Sequence, residues 1–163
     1  MVLMEDVVKV ASYICQRYME QFGSRIGEMK LHKLLYFTQR ECIVQTEEPM
    51  FPDKFEAWKY GPVMVKIRKC YGDDTLNKCL SDKSIEKYKS VFDNVFETFA
   101  LKDAWSLSTL TYGEYSWKNT RRNYGKEDAC SIEIETSDIK KDAIRIRNRR
   151  FLLKRISKVN KPA

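Results

Sequence analysis

Residues 28–46 read EMKLHKLLYFTQRECIVQT, and their spacing sets the fold class. Leu31, Leu34, Leu35, Thr38, Cys42 and Ile43 recur every three or four positions, which lines one side of an α-helix, while Lys30, Lys33, Arg40 and Glu41 fall mostly on the other. An amphipathic helix of this length has to bury its apolar side against other elements. Just upstream, Glu5–Phe22 carries Val7, Val8, Ala11, Ile14, Cys15, Tyr18, Met19 and Phe22 at the same spacing, and Gly23 supplies a stop. Two consecutive helical patterns joined by the short turn GSRIG predict a domain built by packing helices.

The rest of the chain continues in that manner. Pro49 and Pro52 break the second helix pattern, and the aromatic stretch Phe55–Tyr60 is expected to be extended or turn-like. Gly61 and Pro62 punctuate the chain; Pro62 has the angle of a first helical position, predicting a short helix through Val63, Val65, Ile67 and Tyr71 that ends at Gly72. Asp73 and Asp74 are candidate caps for another short helical piece. Ser81 or Asp82 caps a longer helix to about Ala100, in which Ile85, Tyr88, Val91, Phe92, Val95, Phe96 and Phe99 form the stripe. Trp105, Leu107 and Leu110 continue helical spacing, and the chain turns through Gly113 into a short helix with Trp117. Cys130–Thr136 alternates as a brief strand or a fixed extended link. A last helix at about 137–159, capped by Thr136 or Ser137, carries Ile139, Ala143, Ile146, Leu153 and Ile156 along one side. The expectation is mainly α, a single compact helical domain over 1–163 with little or no β-structure.

Composition agrees: 163 residues amount to one domain, and 43% apolar with 12% aromatic residues supports a sizeable core. No apolar run approaches membrane-spanning length and MVLMEDVVKV lacks the layout of a secretory signal, so the expected location is cytoplasmic, with no membrane partner. Cys15, Cys42, Cys70, Cys79 and Cys130 are odd in number and scattered, which predicts reduced, mostly buried thiols. The net charge of +7 is unevenly placed. From Asp138 to Ala163 ten basic residues, Lys161 among them, face two acidic ones for a net of +8, leaving −1 for the remainder. A cluster of this kind is either a solvated face or a surface that meets an acidic partner, protein or nucleic acid.

Catalytic signatures are missing from the sequence. It contains no GxxxxGK[ST] loop, no GxSxG elbow and no HExxH, and one histidine with unclustered cysteines does not furnish a zinc ligand set. His32 is expected to be a surface or structural residue, no carboxylate pair is indicated by spacing, and no enzyme activity, cofactor or metal is expected. Nucleic-acid binding rests on charge alone: Arg145, Arg149 and Arg150 for phosphates, Tyr124 or Phe151 for stacking, without a recognised reading motif.

Three segments add a resemblance. MKLHKLLYF (Met29–Phe37), FEAWKYGPV (Phe55–Val63) and LSTLTYGEYSW (Leu107–Trp117) resemble, in order and spacing, the signature blocks of the Panacea domain, the family of SocA-like antitoxins and phage-associated proteins. AWKYGPV is the most specific, and the resemblance extends to about residue 145. Tyr112 and Ser116 stand where that family usually has histidine and proline. The resemblance implies a mainly helical protein that neutralises a cognate toxin by direct binding, with a protease-adaptor role known in the family; a phage or prophage accessory protein binding nucleic acid through the basic last helix is the alternative. Physically, Trp58, Tyr60 and Trp117 are core aromatics or the walls of a rigid recess, and Thr111 with Glu114 has capping-box spacing for the Trp117 helix. The partner-binding candidates are Lys30, Lys33, Trp58, Tyr60, Trp117, Arg149, Arg150 and Lys154, with Lys30 and Lys33 expected on the surface.

Overall fold

In the computed structural model, which describes residues 3–160, one helix is enclosed by most of the others. That helix is α2 (Glu28–Thr46), and α1 (Val7–Phe22), α3 (Val65–Gly72), α5 (Lys89–Phe99), α6 (Ala104–Tyr112), α8 (Thr136–Val159) and strand β2 (Gly61–Val63) all pack on it. Strand β1 (Glu56–Trp58), α4 (Asp82–Lys87) and α7 (Tyr115–Thr120) complete the described elements, and the expected mainly α architecture is what forms. No helix among the described residues is long and apolar enough to cross a membrane.

The enclosure overturns the two-faced expectation for α2. Every residue from Leu31 to Val44 is buried, His32, Lys33, Arg40 and Glu41 included. A helix covered on all sides must give its polar side chains partners inside the protein. Thus Gln39 donates to Phe51 O at 2.8 Å and accepts from Met50 N at 2.8 Å, while Arg40 pairs with Glu114 and Glu41 with Arg150. The apolar side is aromatic: Phe37 stacks on Phe99 with centroids 4.0 Å apart, and Tyr36 meets Phe55 edge-on. Burying each such ring is worth about 1.5–3 kcal/mol.

α1 matches its pattern, with Asp6 capping Val8 N at 2.8 Å and Gly23 ending the helix at φ 73°. Four expectations fail for local reasons. Pro62 lies in β2 rather than opening a helix, and α3 begins at Val65. It is tolerated there because Ala57, its cross-strand partner, sends its N–H to Ile132 O at 2.9 Å on the opposite edge, so the 57–62 pair needs no proline N–H. Asp73 and Asp74 open no helix; Asp73 instead ends α3, and residues 73–80 are irregular. The long helix capped by Ser81 is divided at Tyr88, whose φ of −105° and ψ of 17° separate α4 from α5. The start of α8 falls at Thr136, after a non-capping Glu135.

The extended link proves to be a third strand in part. Ile134 N donates to Phe55 O at 2.7 Å, and Glu133 bridges Glu56, so residues 132–134 flank β1 on the side away from β2.

Candidate functional site

The three sequence blocks converge on one side of α2. Lys33 Nζ donates to Pro62 O at 3.0 Å, Trp117 Nε1 to Trp58 O at 2.9 Å, and Tyr36 Oη shares a hydrogen bond with Ser116 Oγ at 2.7 Å. Gly61, at φ 106°, sits against Lys33 and Thr111, so the hairpin turn, α2 and α6 meet where a side chain has no room. The blocks are thus one structural unit. Thr111 and Glu114 do not form the expected capping box: Thr111 donates to Ser108 O, and Glu114 turns to Arg40. Instead Asp142, on α8, accepts from Tyr115 N at 2.8 Å and Ser116 N at 2.9 Å, capping α7 from another helix.

Between α2, the β1–β2 hairpin, α3 and residues 127–131 lies a recess of about 700 Å³. Trp58, Met29 and Val63 give it apolar walls, and His32 and Lys33 contribute polar groups. Both side chains dock on the outer edge of β2 and its continuation: His32 Nδ1 accepts from Met64 N at 3.2 Å, two residues along from the Lys33 contact. Burial, reinforced by the neighbouring Lys33 and Arg68 cations, pushes the His32 pKa down to about 3. Burial likewise pushes the Lys33 amine down to about 7, against a weaker opposite pull from Glu28. At the rim Arg68 pairs with Glu28 at 3.0 Å and Lys59 with Glu127 at 2.6 Å.

On the far side of α2 a second polar cluster latches α8 to the body. Glu114 is held by Arg40 and, at 3.3 Å, by Arg145. Its carboxyl is nonetheless raised to about 7, chiefly by burial and further by Asp142, with Arg40 pulling the other way. Arg150 grips buried Glu41 through two bonds of 2.8 and 2.6 Å, and Arg147 reaches Glu47 at 2.6 Å. From Phe151 onward α8 leaves the body, and Phe151, Leu152, Leu153, Ile156 and Val159 are exposed together with Lys154, Arg155 and Lys158.

The candidates therefore divide. Lys33 is 1% exposed and Trp117 7%, so the expectation of a surface Lys33 is overturned by the packing of β2 over it. His32, at 2%, is internal and not on the surface. Trp58 and Lys30 are half-buried, Trp58 in the recess and Lys30 beside Tyr18. Tyr60 is exposed and stands edge-on to Trp105, 5.2 Å between centroids. Arg150 is engaged with Glu41, whereas Arg149 and Lys154 face solvent. Leu153 and Ile156, expected to dock, do not. Lys161 lies outside the described residues. Sequence reasoning missed Gly61, Asp142 and Glu41 as organising residues, and only Gly61, as half of a Gly–Pro pair, left a local signal.

Against known proteins, the family described as Antitoxin SocA-like, Panacea domain, matches residues 31–118, a span that holds all of the second and third blocks and most of the first. A stretch of 46 residues is 39% identical to Antitoxin SocA of Caulobacter vibrioides (strain NA1000 / CB15N), covering 28% of this chain and 24% of that protein. The match thus spans about a quarter of that relative's length. No solved structure matches the chain.

Proposed function

The chain belongs to the SocA-like antitoxin family of Panacea domain proteins, and from that membership we propose that it is an antitoxin that neutralises a cognate toxin by binding it directly. The family match carries this reading, since it spans the hairpin and the helices that hold it. The contact surface we assign comprises the exposed part of α8, with Arg149 and Lys154 beside Phe151 and Leu153, and the Tyr60–Trp105 ridge. Large aromatics and arginine beside apolar residues are the composition of protein-binding surfaces. Such a protein acts by occupancy and needs no catalysis.

Expression of the neighbouring small open reading frame alone should arrest growth, co-expression with this protein should restore it, and the two should co-purify. Absence of both toxicity and a partner from every neighbour would overturn the reading. A protease-adaptor role is a further part of the proposal, and it requires that the toxin's half-life shorten when this protein is present and lengthen when the host's ATP-dependent proteases are removed. A second reading, nucleic-acid binding through α8, is favoured by the exposed Arg149, Lys154, Arg155 and Lys158, which could follow a phosphate backbone.

A further inference from the structure

We propose that the recess between α2, the β1–β2 hairpin, α3 and residues 127–131 is a binding site for an organic acid, with the carboxylate held by His32 and Lys33 and the apolar body against Trp58, Met29 and Val63.

The polar end is built for an acceptor. His32 Nδ1 takes the Met64 N–H, so the neutral ring carries its proton on Nε2. That Nε2 is buried without a hydrogen bond: Glu28 Oε1 lies 3.5 Å away, outside hydrogen-bond geometry, and is drawn to Arg68. A buried donor left unpaired carries its full desolvation cost, which an incoming acceptor offsets. Lys33 supplies more of the same. Of its three N–H groups one is taken by Pro62 O, and no carboxylate among the described residues forms an ion pair with it. Because Pro62 O and Met64 N lie two residues apart on one edge of the strand, the His32 ring and the Lys33 ammonium dock next to each other, and both residues line the recess.

Charge selects the ligand class. Around the recess Glu28 is balanced by Arg68, and Lys59 by Glu127, which leaves Lys33 as the uncompensated group. One negative charge completes the count. A buried ammonium without a counter-ion is expensive, and the depressed Lys33 pKa of about 7 expresses that cost. The volume of about 700 Å³ falls within the usual range for small-molecule sites, and the indole of Trp58 offers a flat wall to an aryl or alkyl body. Gly61 belongs to the design, since a β-carbon there would stand 2.6 Å from Lys33 Cε.

The inference goes beyond toxin binding and is tested on the free protein, so it stands or falls without a toxin being found. Calorimetric titration with 2-naphthoate and with its uncharged counterpart 2-naphthamide should show the acid binding at least tenfold more tightly. At pH 8, heats measured in buffers of different ionisation enthalpy should reveal proton uptake, because the bound carboxylate returns Lys33 to its charged form. In Lys33→Met, checked for folding by circular dichroism, both the preference and the proton uptake should vanish. Equal binding of acid and amide, no binding of either at millimolar concentration, no proton uptake, or a preference that survives Lys33→Met would each overturn the proposal. The source of the natural carboxylate follows from the same probe on the co-purified complex: exclusion of 2-naphthoate assigns it to the partner protein, and undiminished binding assigns it to a free acid.

Discussion

A β-carbon at position 61 would stand 2.6 Å from both Lys33 Cε and Thr111 Oγ1, on a backbone whose φ of 106° disfavours any L side chain. Gly61→Ala should therefore cost more than about 2 kcal/mol in urea unfolding, since strain and a clash combine. Gly27→Ala is the control: nothing lies within 4 Å of that position, its φ is −70°, and its stability should stay within about 0.5 kcal/mol of the parent. Lys33 and His32 give a pH signature. Both are cations whose folded pKa is depressed, so the unfolded chain binds more protons between the folded and unfolded values, and stability rises with pH across that window. For Lys33 the window runs from about 7 to 10.5 and for His32 from about 3 to 6.5. Glu114, raised from 4.5 to about 7, works the other way, its contribution being full below 4.5 and lost as pH rises through 7. The urea midpoint should climb between pH 7 and 9 in the parent protein and flatten there in Lys33→Met; above 9 the Cys15 and Cys42 thiols, pushed from 9.0 up to about 11 by burial, pull the other way. The single imidazole signal in NMR should still report a neutral ring at pH 5. The sequence made the Gly61–Pro62 pair legible as punctuation. It could not reveal the burial of Lys33, because a helical wheel identifies two faces only for a helix packed on one side, and α2 is packed on every side.

The elements show a similar division between what is local and what is not. Asp6, Ser81 and Asp103 each cap the helix they precede, and such contacts between residues two or three apart are what sequence patterns encode. The cap of α7 comes from Asp142, on a helix 26 residues further on, where no local pattern points to it. Removing that carboxylate in Asp142→Ala would leave the Tyr115 and Ser116 N–H groups unpaired, one of them buried, and take away one of the two carboxylates that Arg145 meets. The expected loss is roughly 2–4 kcal/mol, measured by urea unfolding. The α8 boundary near 137–159 was legible from its charge and spacing. Its division was not: Arg145, Arg147 and Arg150 reach back to Glu114, Glu47 and Glu41, whereas the turns beyond make no such return. Arg150→Glu would set a carboxylate against buried Glu41 and belongs with the destabilising changes, while Lys154→Glu, on the solvent side, should fall within about 0.5 kcal/mol of the parent.

For the whole molecule the question is what the basic excess of the C-terminal stretch can still do once the fold has drawn on it. Lys141, Arg145, Arg147 and Arg150 are ion-paired within the body, which leaves Lys140, Arg149, Lys154, Arg155 and Lys158 without an acidic partner among the described residues. If all five met phosphates, affinity for duplex DNA would scale with salt to roughly the power −4.5 and fall about 500-fold between about 50 and 200 mM. A toxin seated on the apolar side chains beside these charges should behave differently, because burial of Phe151, Leu153 and Ile156 is not screened by salt. The variant that separates the two is Arg149→Glu with Lys154→Glu, which leaves every ion pair of the α8 latch in place. Its unfolding curve should overlay that of the parent, and its association with the toxin should slow severalfold at low salt with the difference closing as salt is raised, while dissociation stays nearly constant. Phe151→Ala, by contrast, should speed dissociation at every salt concentration. Loss of DNA binding with toxin association untouched would assign α8 to nucleic acid, and kinetics identical to the parent for both would leave the Tyr60–Trp105 ridge as the surface that meets the partner.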